Sequence, residues 1–333
     1  MRSIFKMLLT VVLVSIFAVP ATQTVGSIVT NSVKNEFLYL IAGLDDAAEN
    51  TDALLLVSYN SDDNTATVVQ LPRDTYCNFG GVQNKINGLY PFYKASGLTS
   101  EKAMKKTADF IADNFGLEFD GYLALTTDAF RNAIDAIGGV TVMLPDDFVY
   151  NDKNPQNSFV LIKGENVLSG KQAEIFVRHR SSYATGDLGR LDAQKIFIDG
   201  LYNTVTKKTE YNDLIAALGS VRNGLITDFS ITDFLIMILK HSSKFRDTKI
   251  TYLTMPGEAV KDTSGIWYYI LNKNSTEAVI RQYLFSSRTF DEKRILTNKG
   301  KSSFEDIYNR DSVPWQEYTS NSIKDINIPS RKS

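Results

Sequence analysis

The sequence predicts an α/β domain, with helices layered on both faces of a mixed central β-sheet (α/β/α) and an N-terminal membrane segment ahead of it. Three observations carry this expectation. Apolar, β-rich runs at 37–42, 53–59 and 65–71 read as a core strand followed by a hairpin, because Ser61-Asp62-Asp63-Asn64 is a turn-rich tetrad between β-rich flanks. Further along, strand, helix and strand patterns succeed one another with glycine stops, as layered α/β packing requires. Residues 7–19, MLLTVVLVSIFAV, carry no charge behind Arg2 and Lys6.

That first run has the form of an export signal, a basic n-region before an apolar h-region. Residues 4–21 fall just short of the ~20 residues a spanning helix prefers, and Pro20 interrupts them near the outer end. Residues 1–21 are read as an uncleaved anchor, with cleavage near Val19-Pro20-Ala21 and a buried core helix as the alternatives. The first two place the body of the chain outside the cytoplasm, with the basic end kept inside. Residues 22–36, rich in Thr, Ser and Val, form a connector, 37–285 the domain itself, and 286–333 a polar, partly ordered tail.

With 333 residues the chain can bury one large core or two modest ones, and one domain with an appended tail is the reading adopted. Its 43% hydrophobic and 22% charged content is that of an ordinary globular protein. A formal net charge of -2 offers no broad basic surface, so nucleic acid is excluded as the general partner and any polyanion must be met locally. A lone cysteine, Cys77, rules out an internal disulfide and has no base-and-orienter pattern around it. Two histidines, His179 and His241, are too few for a histidine-rich metal site; a bound metal would take carboxylate oxygens, which suits magnesium or manganese.

Beyond the hairpin, 98–115 places Met104, Thr107, Ala108, Ile111 and Phe115 on one helical face. A strand at 119–125, a helix at 128–137 stopped by Gly138-Gly139 and a strand at 140–144 follow, and 150–156 reads as a surface loop. Phe197, Ile198, Leu201 and Val205 form the stripe of a helix that begins around Asp187 and Arg190. Segments 214–218 and 234–239 are helical, 249–255 is a last strand stopped by Pro256-Gly257, and 276–285 is a terminal helix. Trp267-Tyr268-Tyr269 either covers a carbohydrate or closes the domain.

The chemistry gathers in Lys171 to Gln194. Ile175-Phe176-Val177 reads as a short strand, which would set Arg178 and Arg180 on one face in period-2 register. Paired guanidinium forks match phosphoryl oxygens and stay charged at any working pH; the bland alternative is an exposed charged strand end. Gly186-Asp187 and Arg190 add a turn, a carboxylate and a third arginine at a helix start. Asp45, Asp46 and Asp52 between the first two strands either chelate a hard divalent ion or are solvated turn residues. Arg73 and Asp74, at the end of the third strand, are either catalytic or a structural ion pair. Lys85 sits in a polar loop with Asn84 and Asn87.

Taken in order, Gly43-Leu44-Asp45, Thr51-Asp52, Pro72-Arg73-Asp74-Thr75, Lys85-Ile86-Asn87, Asp135-Ala136-Ile137-Gly138-Gly139-Val140, Arg178-His179-Arg180 and Gly186-Asp187 with Arg190 and Gln194 resemble the LytR-CpsA-Psr family of cell-wall glycopolymer ligases. The similarity runs from about 37 to 285. It implies transfer of a glycopolymer from an undecaprenyl pyrophosphate-linked donor to a peptidoglycan sugar hydroxyl by an outward-facing, membrane-anchored phosphotransferase. It implies that Asp45 and Asp52 hold Mg2+, or Mn2+, while Arg73, Lys85, Arg178, Arg180, Arg190 and Gln194 contact the pyrophosphate. Arg73, Asp74, Arg178, Arg180 and Asp187 would be the catalytic set, with Asp74 as base. An apolar tunnel between sheet and helices is expected for the prenyl chain. Two positions depart from the family pattern: Asn50 stands where an arginine is usual and Ala53 where a threonine is. Hydrolysis of the same donor, or a lipid-binding scaffold without transfer, are the alternative functions.

Overall fold

A computed structural model of the chain describes residues 35–45, 50–208, 216–217, 219–228, 247–284 and 302–329. The expected membrane segment, nearly all of the connector, Asp46, His241, the helical segment at 234–239, most of that at 214–218, and tail residues 286–301 and 330–333 lie outside them. Among the described residues no helix is long and apolar enough to cross a membrane.

The sheet follows from strands that are apolar on both sides. In β1 (Glu36–Leu44), Phe37, Tyr39 and Ile41 enter one core while Leu38, Leu40, Ala42 and Leu44 enter another, so both faces demand cover. β1 pairs antiparallel with β2 (Thr51–Asn60), and β2 with β3 (Thr65–Gln70), closing the expected hairpin. β6 (Gly121–Leu125) joins β1 in parallel and β12 (Lys249–Thr254) joins β3 in parallel. With β11 (Leu225–Thr227) and β15 (Tyr318–Thr319) at the edges, the sheet has seven strands in the order β11-β6-β1-β2-β3-β12-β15, and it is mixed as expected.

One face is covered by α2 (Ser100–Phe115), seated on Met104, Ile111 and Phe115, with α1 (Leu89–Ala95) and α6 (Lys273–Val279) beside it. Thr99 caps α2 by accepting from the Lys102 N–H. The other face carries α3 (Thr127–Ala136), α4 (Gly170–Arg178) and α5 (Asp187–Asn203). Outside α5 lies a two-stranded sheet of β7 (Val140–Leu144) and β10 (Gly164–Leu168); a Cβ at Gly200 would come within 2.5 Å of the Thr141 carbonyl, so the close approach requires glycine. Three further hairpin pairs complete the fold: β4 (Tyr76–Phe79) with β5 (Val82–Lys85), β8 (Phe148–Tyr150) with β9 (Phe159–Leu161), and β13 (Gly257–Lys261) with β14 (Trp267–Leu271).

Two expectations are corrected here. The run Ile175-Phe176-Val177 is not a strand but part of the last turn of α4. A capping box launches that helix: Ser169 accepts from the Gln172 N–H and the Gln172 side chain accepts from the Ser169 N–H. Nor does the chain past 301 behave as a polar tail. α7 (Ser302–Tyr308) buries Phe304 and Ile307, β15 extends the sheet, and Ile323, Ile326 and Ile328 enter the core, because apolar residues scattered at wide intervals still find the sheet edge.

Candidate active site

The charged residues converge at the carboxyl end of β1 and the start of β2. Asp52, in the second position of β2, is the hub: one carboxylate oxygen takes the Arg73 Nη1 and the other the Arg178 Nε at 3.1 Å. Arg73 comes from the turn after β3 and Arg178 from the last residue of α4, so residues far apart in sequence share one carboxylate. Arg178 is itself held from behind, Nη1 donating to Glu174 Oε1 at 2.9 Å and to Thr127 Oγ1 at 3.4 Å. Thr127 in turn donates to the Leu44 carbonyl at 2.9 Å, tying the helix to the end of β1.

A second carboxylate organises the neighbouring pair. Asp187 Oδ1 lies 3.1 Å from Arg180 Nε and 2.9 Å from Arg190 Nη2. Arg190 is 1% exposed, and its Nη1 donates to the Asp52 carbonyl at 3.1 Å, which joins the two clusters. Burial lowers its pKa from the ordinary arginine value, opposed by Asp187 beside it. Asp187 opens α5, and Gly186 before it has φ +61°, a backbone state open chiefly to glycine. The Nε atoms of Arg73 and Arg190 are buried and have no hydrogen-bond partner among the described residues. Buried donors of that kind are costly unless something accepts from them.

Arg178 and Arg180 thus do not leave one strand side by side. Arg178 ends a helix and Arg180 lies in the loop after it, each on a different carboxylate. Arg73 and Asp74 also part: Arg73 turns to Asp52, while Asp74 accepts from Lys85 Nζ at 3.1 Å. Gln194 donates to the Val177 carbonyl at 3.0 Å and accepts from Gln70 Nε2 at 3.1 Å, so it fixes the end of α4.

Beside Asp52 opens a cavity enclosing about 940 Å³ of space free of protein atoms, part of it continuous with solvent. Ile41, Leu55, Val68 and Leu125 line it from the sheet, and Phe130, Phe197 and Leu201 from the helices. Its polar wall is Asp52, Arg178, Gln194 and the threonines at 126 and 127. A long apolar chain with a polyanionic head has the shape and polarity to match this space.

Residues that sequence reasoning missed are supports of this arrangement. Glu174, 6% exposed as a residue, also pairs with Arg131 at 3.2 Å and Lys171 at 3.0 Å. Gln70, 1% exposed, donates to the Leu191 carbonyl at 2.8 Å as well as to Gln194. Glu174 stands four residues before Arg178, a signal that becomes readable only when the segment is recognised as a helix.

The metal question turns on Asp45 and Asp52. Asp45 accepts from the Asn50 side chain at 2.8 Å, so Asn50 lies directly against one expected ligand. Both oxygens of Asp52 are engaged by guanidinium groups, and no group of three or more His, Cys, Asp or Glu side chains converges as a metal cage among the described residues. Carboxylate oxygens are the donor type that magnesium or manganese takes beside phosphates, and here those of Asp52 are engaged by Arg73 and Arg178 and Asp45 by Asn50.

Residues 18–283 match the LytR_cpsA_psr family model. The chain belongs to that family. TagU of Oceanobacillus iheyensis, a polyisoprenyl-teichoic acid–peptidoglycan teichoic acid transferase, is 28% identical over 250 residues, covering 72% of each chain. The crystal structure of Bacillus subtilis TagV superposes with a TM-score of 0.62 at 23% identity, over 76% of this chain and 98% of that one. TagT bound to LI-WTA superposes with a TM-score of 0.57 at 21% identity, over 78% and 94%. These two superpositions establish the LytR_cpsA_psr fold, and relatives named as the first is are enzymes that transfer teichoic acid to peptidoglycan.

Proposed function

We propose that this chain transfers a glycopolymer from an undecaprenyl pyrophosphate-linked donor to a sugar hydroxyl of peptidoglycan. One observation carries the reading: Arg73 and Arg178 meet on Asp52 at the polar wall of an apolar cavity. The prenyl chain occupies the cavity, and its pyrophosphate lies where Arg73, Arg178, Arg180 and Arg190 supply donors, two of them the buried Nε atoms described above. The names of the curated relatives, which act on polyisoprenyl-linked teichoic acid and peptidoglycan, support the same substrate classes. The uncharged run at 7–19 supports a membrane-anchored protein with this domain outside the cytoplasm.

In the reaction the acceptor oxygen attacks the phosphorus that carries the glycan. A new P–O bond forms, the bond to the bridging oxygen breaks, and polyprenyl phosphate departs with the electron pair. Charge grows on the leaving phosphate, and preorganised guanidinium groups oppose it without reorganisation. Asp74, held by Lys85, is assigned as the base that receives the acceptor's proton. Glu174, Thr127 and Gln194 keep Arg178 in place, and Asp187 keeps Arg180 and Arg190. Magnesium or manganese held by Asp45 and Asp52 would supply, when bound, a Lewis acid that neutralises phosphoryl charge.

The test is reconstitution of purified protein with magnesium, a lipid-pyrophosphate-linked glycan and peptidoglycan. Glycan covalently attached to peptidoglycan is the expected product. Free phosphorylated glycan alone, in equal yield with and without acceptor, would identify a hydrolase, and absence of both products where TagU succeeds would overturn the proposal.

A further inference from the structure

The loop 179–186 between α4 and α5 carries Arg180, and much of its bonding is local. The Tyr183 N–H donates to the Arg180 carbonyl at 3.2 Å, the Gly186 N–H to the Tyr183 carbonyl at 3.1 Å, and the Tyr183 hydroxyl to the Phe176 carbonyl. The Ala184 N–H instead reaches the far end of the chain, donating to the Pro329 carbonyl at 2.9 Å. That carbonyl arrives on a segment with its own footing. Tyr318 and Thr319 pair with β12 at the sheet edge. Lys195, in α5 and buried, is held by Asp192 at 2.7 Å and lies 5.7 Å from the centroid of the Tyr318 ring. After the turn Ile323–Asp325, Ile326 and Ile328 are buried while Asn327 between them is exposed, the period of an extended segment with one face on the core. Ile328 precedes a proline, which holds it to extended backbone. The segment therefore runs along α5 from Lys195 to the loop ahead of Asp187, and it lies beyond the residues 18–283 that match the family model.

Resting on the transfer reading above, we infer that Ile326, Ile328 and Pro329 are positioning residues for Arg180, a brace that fixes the arginine-bearing loop through the Ala184 N–H. The Arg180 side chain is 41% exposed and is held at Nε by Asp187 at 3.1 Å, so the aim of its remaining nitrogens follows the path of the backbone beneath it. In that loop Ser181, Ala184 and Thr185 are exposed, and burial fixes it at Ser182 and Tyr183. Ordering exposed backbone costs conformational entropy. A bond to a segment already anchored in the core removes part of that freedom before any substrate arrives. Ser182 hangs the loop on the Val149 carbonyl, and Pro329 gives it a second support. Such pre-organisation acts on the rate, because a guanidinium group stabilises growing charge best when it need not move to meet it.

The experiment compares the full chain, purified in detergent, with two versions ended one residue apart: at Pro329, which keeps the acceptor, and at Ile328, which loses it and keeps both buried isoleucines. The chain ended at Pro329 is expected to transfer within about twofold of wild type, and the one ended at Ile328 to fall about tenfold in kcat with the KM for peptidoglycan unchanged. Their thermal melts should agree within about 2 °C, and amide exchange at Ala184 should be about tenfold faster in the shorter chain. Arg180→Ala supplies the readout that a merely structural role would not move. In that background the two chain ends should transfer alike within about twofold, because the lost acceptor acts through Arg180. Ile328→Ser is expected to repeat the loss and Ile328→Val to avoid it. Equal kcat for the two chain ends, or a comparable loss that persists beside Arg180→Ala, overturns the brace. Calorimetric titration with inorganic pyrophosphate tests it apart from transfer, with binding expected to weaken about fivefold in the shorter chain and only where Arg180 is present. That result in a protein that transfers nothing would uphold the brace and sink the transfer reading instead.

Discussion

The two faces of the central sheet are built from alternate residues of the same strands, and they end in different physics. Toward α2, Leu40, Leu56 and Val69 meet Met104, Ile111 and Phe115, and these six are fully buried. Toward α3, α4 and α5 the packing is dry around Phe37, Tyr39 and Val57, and opens at the other end of β1 into the cavity bounded by Ile41, Leu55 and Val68. Charge follows the same division. Among the described residues the buried charged side chains are Glu174, Arg190, Lys195 and Asp199, and each belongs to α4 or α5. One face is spent on stability; the other tolerates space and buried charge, which a packed core would reject.

The largest effect is expected from the charged end of the open face. Arg178→Ala removes a donor that contacts Asp52 and Glu174, and transfer should fall on the order of 10²- to 10³-fold, as when one preorganised donor is lost elsewhere. Product yield in the reconstituted assay measures it; a loss below tenfold would mean that Arg178 serves Asp52 only structurally. On the filled face, Ile111→Ala should cost about 2–5 kcal/mol of folding stability by leaving a cavity, measured by denaturant unfolding, with no change in donor preference. Filling the open face should do the converse. Ile198→Trp in the cavity wall is expected to reduce transfer from long-prenyl donors about tenfold relative to short-chain analogues, while stability changes by less than about 1.5 kcal/mol. Equal losses for both donor lengths would remove the cavity from the reaction.

The layered fold was legible because its signals are local. The unbroken apolar run at 37–42 and the turn-rich tetrad at 61–64 state a strand and a hairpin without reference to anything distant. The charged residues were legible as types and order, and their pairing was not. Nothing in a linear chain says that Arg73 would choose Asp52, 21 positions back, over its neighbour Asp74. The strand expected at 175–177 failed because three β-favouring residues outweighed a capping box that begins at Ser169, and with the helix went the Glu174–Arg178 pair. Gln70 and the buried residues past 301 carry no local mark at all, since their meaning is set by what the sheet edge places against them.

The smallest effect concerns His179, the cap residue between the two key arginines, which hangs the loop on the β8–β9 hairpin of the open face. Ser182 Oγ donates to the Val149 carbonyl at 2.8 Å, so toward the ring it can only accept, and His179 Nδ1, 2.8 Å away, must be the donor. His179 Nε2 is then the acceptor for Ser181 Oγ at 3.1 Å, and the neutral imidazole satisfies both neighbours. A second ring proton would oblige Ser181 to turn away, and burial already holds the His179 pKa below its ordinary value. The unfolded chain, with a value of about 6.5, therefore binds that proton more readily than the folded one. Stability from this group is complete above the unfolded value and is lost as pH falls through the folded one. Thermal melts at pH 7.5 and 5.5 should show a decrease of no more than about 3 °C attributable to His179, absent in His179→Gln. An identical pH slope in that variant would assign the acid sensitivity to other groups and leave the two faces alike in their response to protons.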